Sequence, residues 1–208
     1  FGAGGTITNE PNGIITSTHH GIFTTGVPID IRNYGKIGFD DSTGTSTNLS
    51  QRGVYMQVDG TLYNYAGGMI SGTTHSVRVV NNIVVDVEND GIIGFDTNNN
   101  KSPQGIYLQS GTNTTSTVTN TGTVFGTDNG IFVTGGFNLD LNNTGIIGIA
   151  ADGSVSTTGI NLSSGAGTGS LISNGGTIEG TDRGIYSAVS LAGTPTVPGI
   201  NNITAASK

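Results

Sequence analysis

The chain has 208 residues, a formal net charge of −7, 36 glycines and no cysteine; 33% of it is hydrophobic and 10% charged, where globular domains run near 45–50% and 25%. With no run of Lys and Arg it lacks the basic face that nucleic acid or an anionic membrane surface requires. Without Cys it can hold neither a disulfide framework nor a thiolate metal site, and no apolar run is long enough to insert in a membrane.

Ile, Val and Thr recur in register along the chain, which marks an ordered β protein despite the low hydrophobic content. The register is set by an Asn-x-Gly motif at Asn33, Asn64 (one residue longer, as NYAG), Asn89, Asn120, Asn143 and Asn174, with a degenerate first copy at Asn9. Successive separations are 24, 31, 25, 31, 23 and 31 residues, so a short unit of 23–25 alternates with a long one of 31. The super-repeat is about 54 residues. Each unit continues into a Gly-Ile/Val-aromatic strand, as GIF at 21–23, GVY at 53–55, GIY at 105–107, GIF at 130–132 and GIY at 184–186. In the long units the connection between the two strands expands into the polar runs 40–51, 96–104 and 150–158, expected to emerge along one side of the molecule.

Units this short cannot bury an apolar face alone, whereas stacked units can. The predicted fold is therefore all-β: a single-stranded, right-handed parallel β-helix, or β-solenoid, of about seven coils forming one domain over residues 1–208 without separate caps. A β-propeller needs longer, four-stranded blades, and a β-sandwich would not keep Asn and Gly in constant register.

Alternation assigns the faces. In the stretch 139–149 the inward set is Leu139, Leu141, Asn143, Gly145, Ile147 and Ile149. The recurring Asn is thus on the core side, and Asn33, Asn64, Asn89, Asn120, Asn143 and Asn174 are expected to form a hydrogen-bonded ladder at a corner. The Gly two places on is expected to make a sharp bend or adopt a left-handed conformation. On the second strand Tyr107 points outward, in a column with Phe23, Tyr55, Arg78, Phe132, Asn161 and Tyr186. Phe23, Tyr55, Tyr107, Phe132 and Tyr186 make either a stabilising cross-coil ladder or a contact strip for a glycan, a cell-surface ligand or another copy of the chain.

A second outer column, Asp30, Thr61, Asp86, Thr117, Asp140 and Leu171, spaces its carboxylates two coils apart and so forms no catalytic pair. Loop carboxylates Asp40, Asp41, Asp96 and Asp152 could attract Ca²⁺, but the tandem calcium-binding repeat is missing, and no metal or cofactor is expected. His19, His20 and His75 have no metal spacing; nucleophile-elbow and phosphate-loop motifs are missing, and GAGTG at 165–169 sits in β context. An enzymatic rival, a polysaccharide-cleaving β-helix of the pectate-lyase kind, needs clustered Asp, Arg and Lys, and seven Lys and Arg are scattered over this chain.

The pattern V-x-N-x-G-x-I-x-G followed by Gly-Ile-aromatic, as in TVTNTGTVFGTDNGIF and LISNGGTIEGTDRGIY, resembles the repeats of bacterial autotransporter passenger domains and filamentous-haemagglutinin-like secreted proteins. The resemblance implies a right-handed β-helix on the cell exterior, without implying an activity. This stretch has no C-terminal amphipathic barrel segment and no inserted protease or lipase domain. The run 200–208 resembles 81–87, so the two ends look in phase and head-to-tail stacking into a filament is expected. The sequence expectation is thus an extracellular, non-enzymatic structural or adhesive solenoid, self-associating or serving as an adhesin passenger.

Overall fold

The computed structural model describes residues 4–44, 49–109, 111 and 114–189, and the backbone of 203–205. Among these residues every regular element is a strand, and the strands form three parallel sheets. The first contains Gly5–Asn9, Ile29–Asn33, Gly60–Asn64, Val85–Asn89, Thr115–Asn120, Asn138–Asn143 and Leu171–Asn174. The second is made of two-residue strands: Ile14–Ile15, Lys36–Ile37, Met69–Ile70, Ile92–Ile93, Thr123–Val124, Ile146–Ile147 and Thr177–Ile178. The third contains His20–Thr24, Arg52–Met56, His75–Val80, Gln104–Gln109, Asn129–Val133, Thr158–Leu162 and Arg183–Ser187, extended by Ile203–Ala205. Each coil contributes one strand to each sheet and pairs only with the coils above and below. This is the right-handed parallel β-helix of about seven coils that the repeat predicts.

The core is a set of columns. Ile31, Leu62, Val87, Val118, Leu141 and Ile172 stack from the first sheet; Ile37, Ile70, Ile93, Val124, Ile147 and Ile178 stack from the second. Nearly all are fully buried, each side chain adding about 1.5–3 kcal/mol of apolar transfer energy. Ile and Val dominate because a branched Cβ packs well against its own copy one strand spacing away.

The Asn column is a continuous ladder. Asn9 is a full member: its Nδ2 donates to Asn33 Oδ1 at 2.8 Å. The series continues through Asn64, Asn89, Asn120 and Asn143 to Asn174 at 2.6–2.8 Å. Each of these Nδ2 groups also meets backbone carbonyls of its own and the next coil, as Asn120 does with Gly122 and Ile146. Buried amides thus satisfy one another along the axis.

One expectation is narrowed and two are corrected. The Gly two places after Asn33, Asn89, Asn120, Asn143 and Asn174 sits in the expected bend without a left-handed backbone, which only Gly67 of the longer NYAG copy has; it is required by close approach, since a Cβ at Gly122, Gly145 or Gly176 would lie 2.2 Å from the carbonyl oxygen of the equivalent Gly one coil back. Ile149 is half-buried, and Ala150 takes the buried place, because Gly148 at φ +92° breaks the alternation. Finally, Ile203–Ala205 pairs with Arg183–Ser187 in the third sheet, not in the first-sheet position of its look-alike at 81–87; the rest of 200–208 lies outside the described residues.

The long loops do line one side. Thr97 Oγ1 donates to Asp41 at 2.5 Å and Lys101 Nζ to Asp152 at 2.6 Å, joining the loops of successive long coils in a row. Residues 45–48 of the first loop are outside the described set.

Candidate functional site on the outer face of the third sheet

Strands of the third sheet begin with a polar residue, bend at a small one, then alternate. Two side-chain columns therefore stand on the outer side of the sheet, with Asn129 and Thr158 of the first buried there. One runs His20, Arg52, His75, Gln104, Asn129, Thr158, Arg183; the other runs Phe23, Tyr55, Arg78, Tyr107, Phe132, Asn161, Tyr186. The register pairs the seven members of the expected aromatic stripe one to one.

From Phe23 to Phe132 the stripe is one stack. Phe23 and Tyr55 lie 5.3 Å apart between centroids, and Tyr107 and Phe132 lie 5.0 Å apart with planes 9° from parallel. The guanidinium of Arg78 sits between the two pairs, 5.3 Å from the Tyr55 ring and 5.8 Å from Tyr107. Asn161 then interrupts the rings, and Tyr186 is covered separately by Arg183 at 4.8 Å. Because the rings stack along the coil axis, they cover one another's faces and turn their edges outward. Phe23, at the end of the row, is 48% exposed.

The first column adds a layer beside the stack. His75 is parallel to Tyr107 at 5.0 Å, and His20 meets both Phe23 and Tyr55. Arg52 lies 5.0 Å over Tyr55. Further on, Asn161 Nδ2 donates to Asn129, and Asn129 Nδ2 to Gln104, forming a short amide chain.

These groups tune one another. Burial, then the charges of Arg78 and Arg52, pushes the His75 imidazole down to about 4. Burial and Arg52 also lower His20, and burial with Arg78 lowers Arg52 itself. The Tyr107 phenol is raised, by burial. No strand of this sheet outside the undescribed side chains of 203–205 carries a carboxylate, so in an acidic chain this face is locally cationic. Scattered bases in the sequence are thus partly gathered by the coil register: Arg52, Arg78, His20 and His75 sit at one end of one sheet. Reading the sequence for basic runs missed Arg52, His20 and His75; the available signal was that each directly precedes, or stands two before, a Gly-Ile/Val or Val strand core.

The other candidates resolve differently. Asp96, 1% exposed, accepts the backbone N–H groups of Asn98 and Asn100 and the Asn100 amide, all within its own loop. Asp41 is bonded to Lys36 and Thr97, which hold its carboxyl below the usual range. Among the described residues no group of three His, Asp or Glu is arranged to hold a metal ion. The Asp30 column has the expected register, with Asp30 Oδ1 accepting the Thr61 N–H at 3.3 Å. A second ring cluster, Tyr34 on Tyr65 at 4.2 Å, arises where Tyr follows the ladder Asn.

No family model matches the chain, and neither the curated proteins nor the solved structures contain a significant match to it. The likeness to passenger repeats therefore stands on the repeats themselves.

Proposed function

We propose that this chain is an extracellular, non-enzymatic rod that serves as a structural and adhesive element, in the manner of a passenger-type adhesin stalk. One observation carries the reading: a single stack of rings and guanidinium from Phe23 to Phe132 runs along the axis on strands that carry no carboxylate. A surface of this kind can make the same contact coil after coil, as adhesion to an extended partner requires. The acidic, Gly/Thr/Asn-rich composition suits a place outside the cell.

Self-association has a defined form in this reading. Every ladder amide donates toward the higher-numbered coil, so the stack is polar and extends only head to tail, giving an open filament. A polysaccharide-cleaving role has less support, since Asp96 spends its oxygens on its own loop.

The test is retention of the full chain on glycan-coated surfaces, with product analysis of the incubated glycans and negative-stain microscopy of the free protein. The expected result is retention lowered by Tyr107→Ala and Tyr186→Ala, no cleavage, and rods that lengthen with concentration. Glycan cleavage would sink the non-enzymatic reading, and a monodisperse monomer at high concentration would sink the filament.

A further inference from the structure

Arg52 and Arg78 occupy neighbouring coils and share Tyr55, whose ring centroid is 5.0 Å from one guanidinium and 5.3 Å from the other. Two cations held against one ring repel each other. Among the described residues neither is in an ion pair, and neither Nε has a hydrogen-bond partner. Arg78 donates only sideways, to Gln109 Oε1 at 2.6 Å. His20 and His75 flank the pair. By contrast the first sheet presents Asp30, Asp86, Glu88 and Asp140. The third-sheet strands thus carry no carboxylate, and Arg52 and Arg78 are left without a counter-charge of their own, whereas Arg183 farther along is paired with Asp182.

The stacking limits what that counter-charge can be. A single-stranded nucleic acid gains its affinity by laying bases on free aromatic faces. Here the faces of Tyr55 and Tyr107 and one face of Phe132 are covered by neighbours in the stack, and what points outward is ring edges, N–H donors and amides. Those groups suit a flexible chain rich in hydroxyls and bearing carboxylate or sulfate, which guanidinium binds through paired N–H donors.

Resting on the adhesive reading above, we infer that the third-sheet face centred on Arg52 and Arg78 binds an acidic polysaccharide laid along the coil axis. Its anionic groups neutralise the two guanidiniums, and its hydroxyls meet the half-buried amide of Gln104. The imidazole of His75 faces Arg52 from the preceding strand, Arg78 and Thr74 on its own segment, and Tyr107 from the next. An anion seated there offsets the two cations, the lesser causes after burial, so the imidazole moves up from about 4, His75 takes up a proton on binding, and affinity rises as pH falls toward that value.

The experiment measures binding of the full chain to polygalacturonate, dextran sulfate, uncharged dextran and single-stranded DNA by calorimetry at several salt concentrations. The inference expects at least one of the two acidic glycans to bind, uncharged dextran and DNA not to, and affinity to fall with salt. Arg52→Gln with Arg78→Gln should weaken binding at least about tenfold, while Arg32→Gln on the first sheet leaves it unchanged. His75→Gln should flatten the pH dependence. Circular dichroism of each variant confirms the fold. Equal binding of uncharged dextran, DNA bound as tightly as the glycans, or an unaffected double variant overturns the inference. Uncharged binding lost in Tyr107→Ala would overturn it yet leave the adhesive reading standing; cleavage of polygalacturonate would overturn the adhesive reading instead.

Discussion

Long and short coils share their Asn strand, their two-residue second strand and their third strand, and part company at one residue. After the buried Ile of the second sheet, long coils place Gly38, Gly94 or Gly148, at φ +96°, +130° and +92°. Short coils place Ser71, Phe125 or Glu179 at the stacked position. Their glycine comes one residue later, at Gly72, Gly126 and Gly180, where a Cβ would lie 2.0–2.3 Å from a backbone oxygen. The left-handed turn swings the long-coil chain outward; the later glycine lets the short-coil chain press inward.

What leaves at the glycine returns beside it. Ser50, Ser102 and Ser156 are fully buried, and their N–H groups donate to the carbonyls of Gly38, Gly94 and Gly148 at 2.7–2.8 Å. Each loop is therefore pinched shut at its base. A pinched loop can change length at little cost, since doubling a loop adds only about 0.6 kcal/mol of closure entropy. The comparison teaches that the solenoid tolerates variable decoration because the exit and re-entry are fixed, and substitutions at those points should separate the two coil types.

Gly94→Ala should have the largest effect. It forces a non-Gly residue to φ +130° and puts a Cβ 2.0 Å from the Phe125 oxygen; a loss of about 3 kcal/mol or more is expected in urea unfolding. A loss below about 0.5 kcal/mol, the usual range for a neutral surface change, would show that the glycine does not govern the exit.

Ser102→Ala should come next. Its Oγ donates to Gly72 O at 2.6 Å, accepts the Gly72 N–H at 3.1 Å and lies 2.7 Å from Ser76 Oγ, so removal leaves buried groups unpaired at a cost of about 1–3 kcal/mol. Ser156 is its equivalent in the third long coil, but its Oγ has no hydrogen-bond partner among the described residues. Ser156→Ala should therefore cost well under ~1 kcal/mol. Equal losses in both variants would mean that the hydroxyl bonds are irrelevant and only the backbone pinch matters.

These pinch points also mark where the sequence stopped being readable. The ladder and the core columns could be read off because Asn, Ile and Val recur with the coil, and a repeated residue reports its own stacking partner. The site was half legible. The stripe from Phe23 to Tyr186 followed from alternation, whereas Arg52 and His75 lie in different coils and meet only through register. The glycines were read as bends or left-handed turns without telling which, because one residue type serves two needs: room for a neighbouring carbonyl at Gly122, and a left-handed backbone at Gly94. Ser102 did carry a repeat signal, since Ser50, Ser102 and Ser156 each stand three residues before the strand glycine (Gly53, Gly105, Gly159), but that signal falls outside the Asn and aromatic columns.

The smallest effect belongs to the loop tips. Lys101 Nζ and Ser154 N–H hold the Asp152 carboxyl down to about 2. A carboxyl depressed when folded stabilises above its unfolded value of 3.8, and that contribution fades as pH falls toward about 2. The pair joins one loop to another, outside the pinch, and it is exposed to solvent. Asp152→Asn should therefore leave the thermal midpoint at neutral pH unchanged and remove only a slight downward slope below about pH 4. A clear loss at neutral pH would show that the tips brace the rod. The pinch would then not isolate the loops, and the division between long and short coils would extend beyond the two residues that open and close each loop.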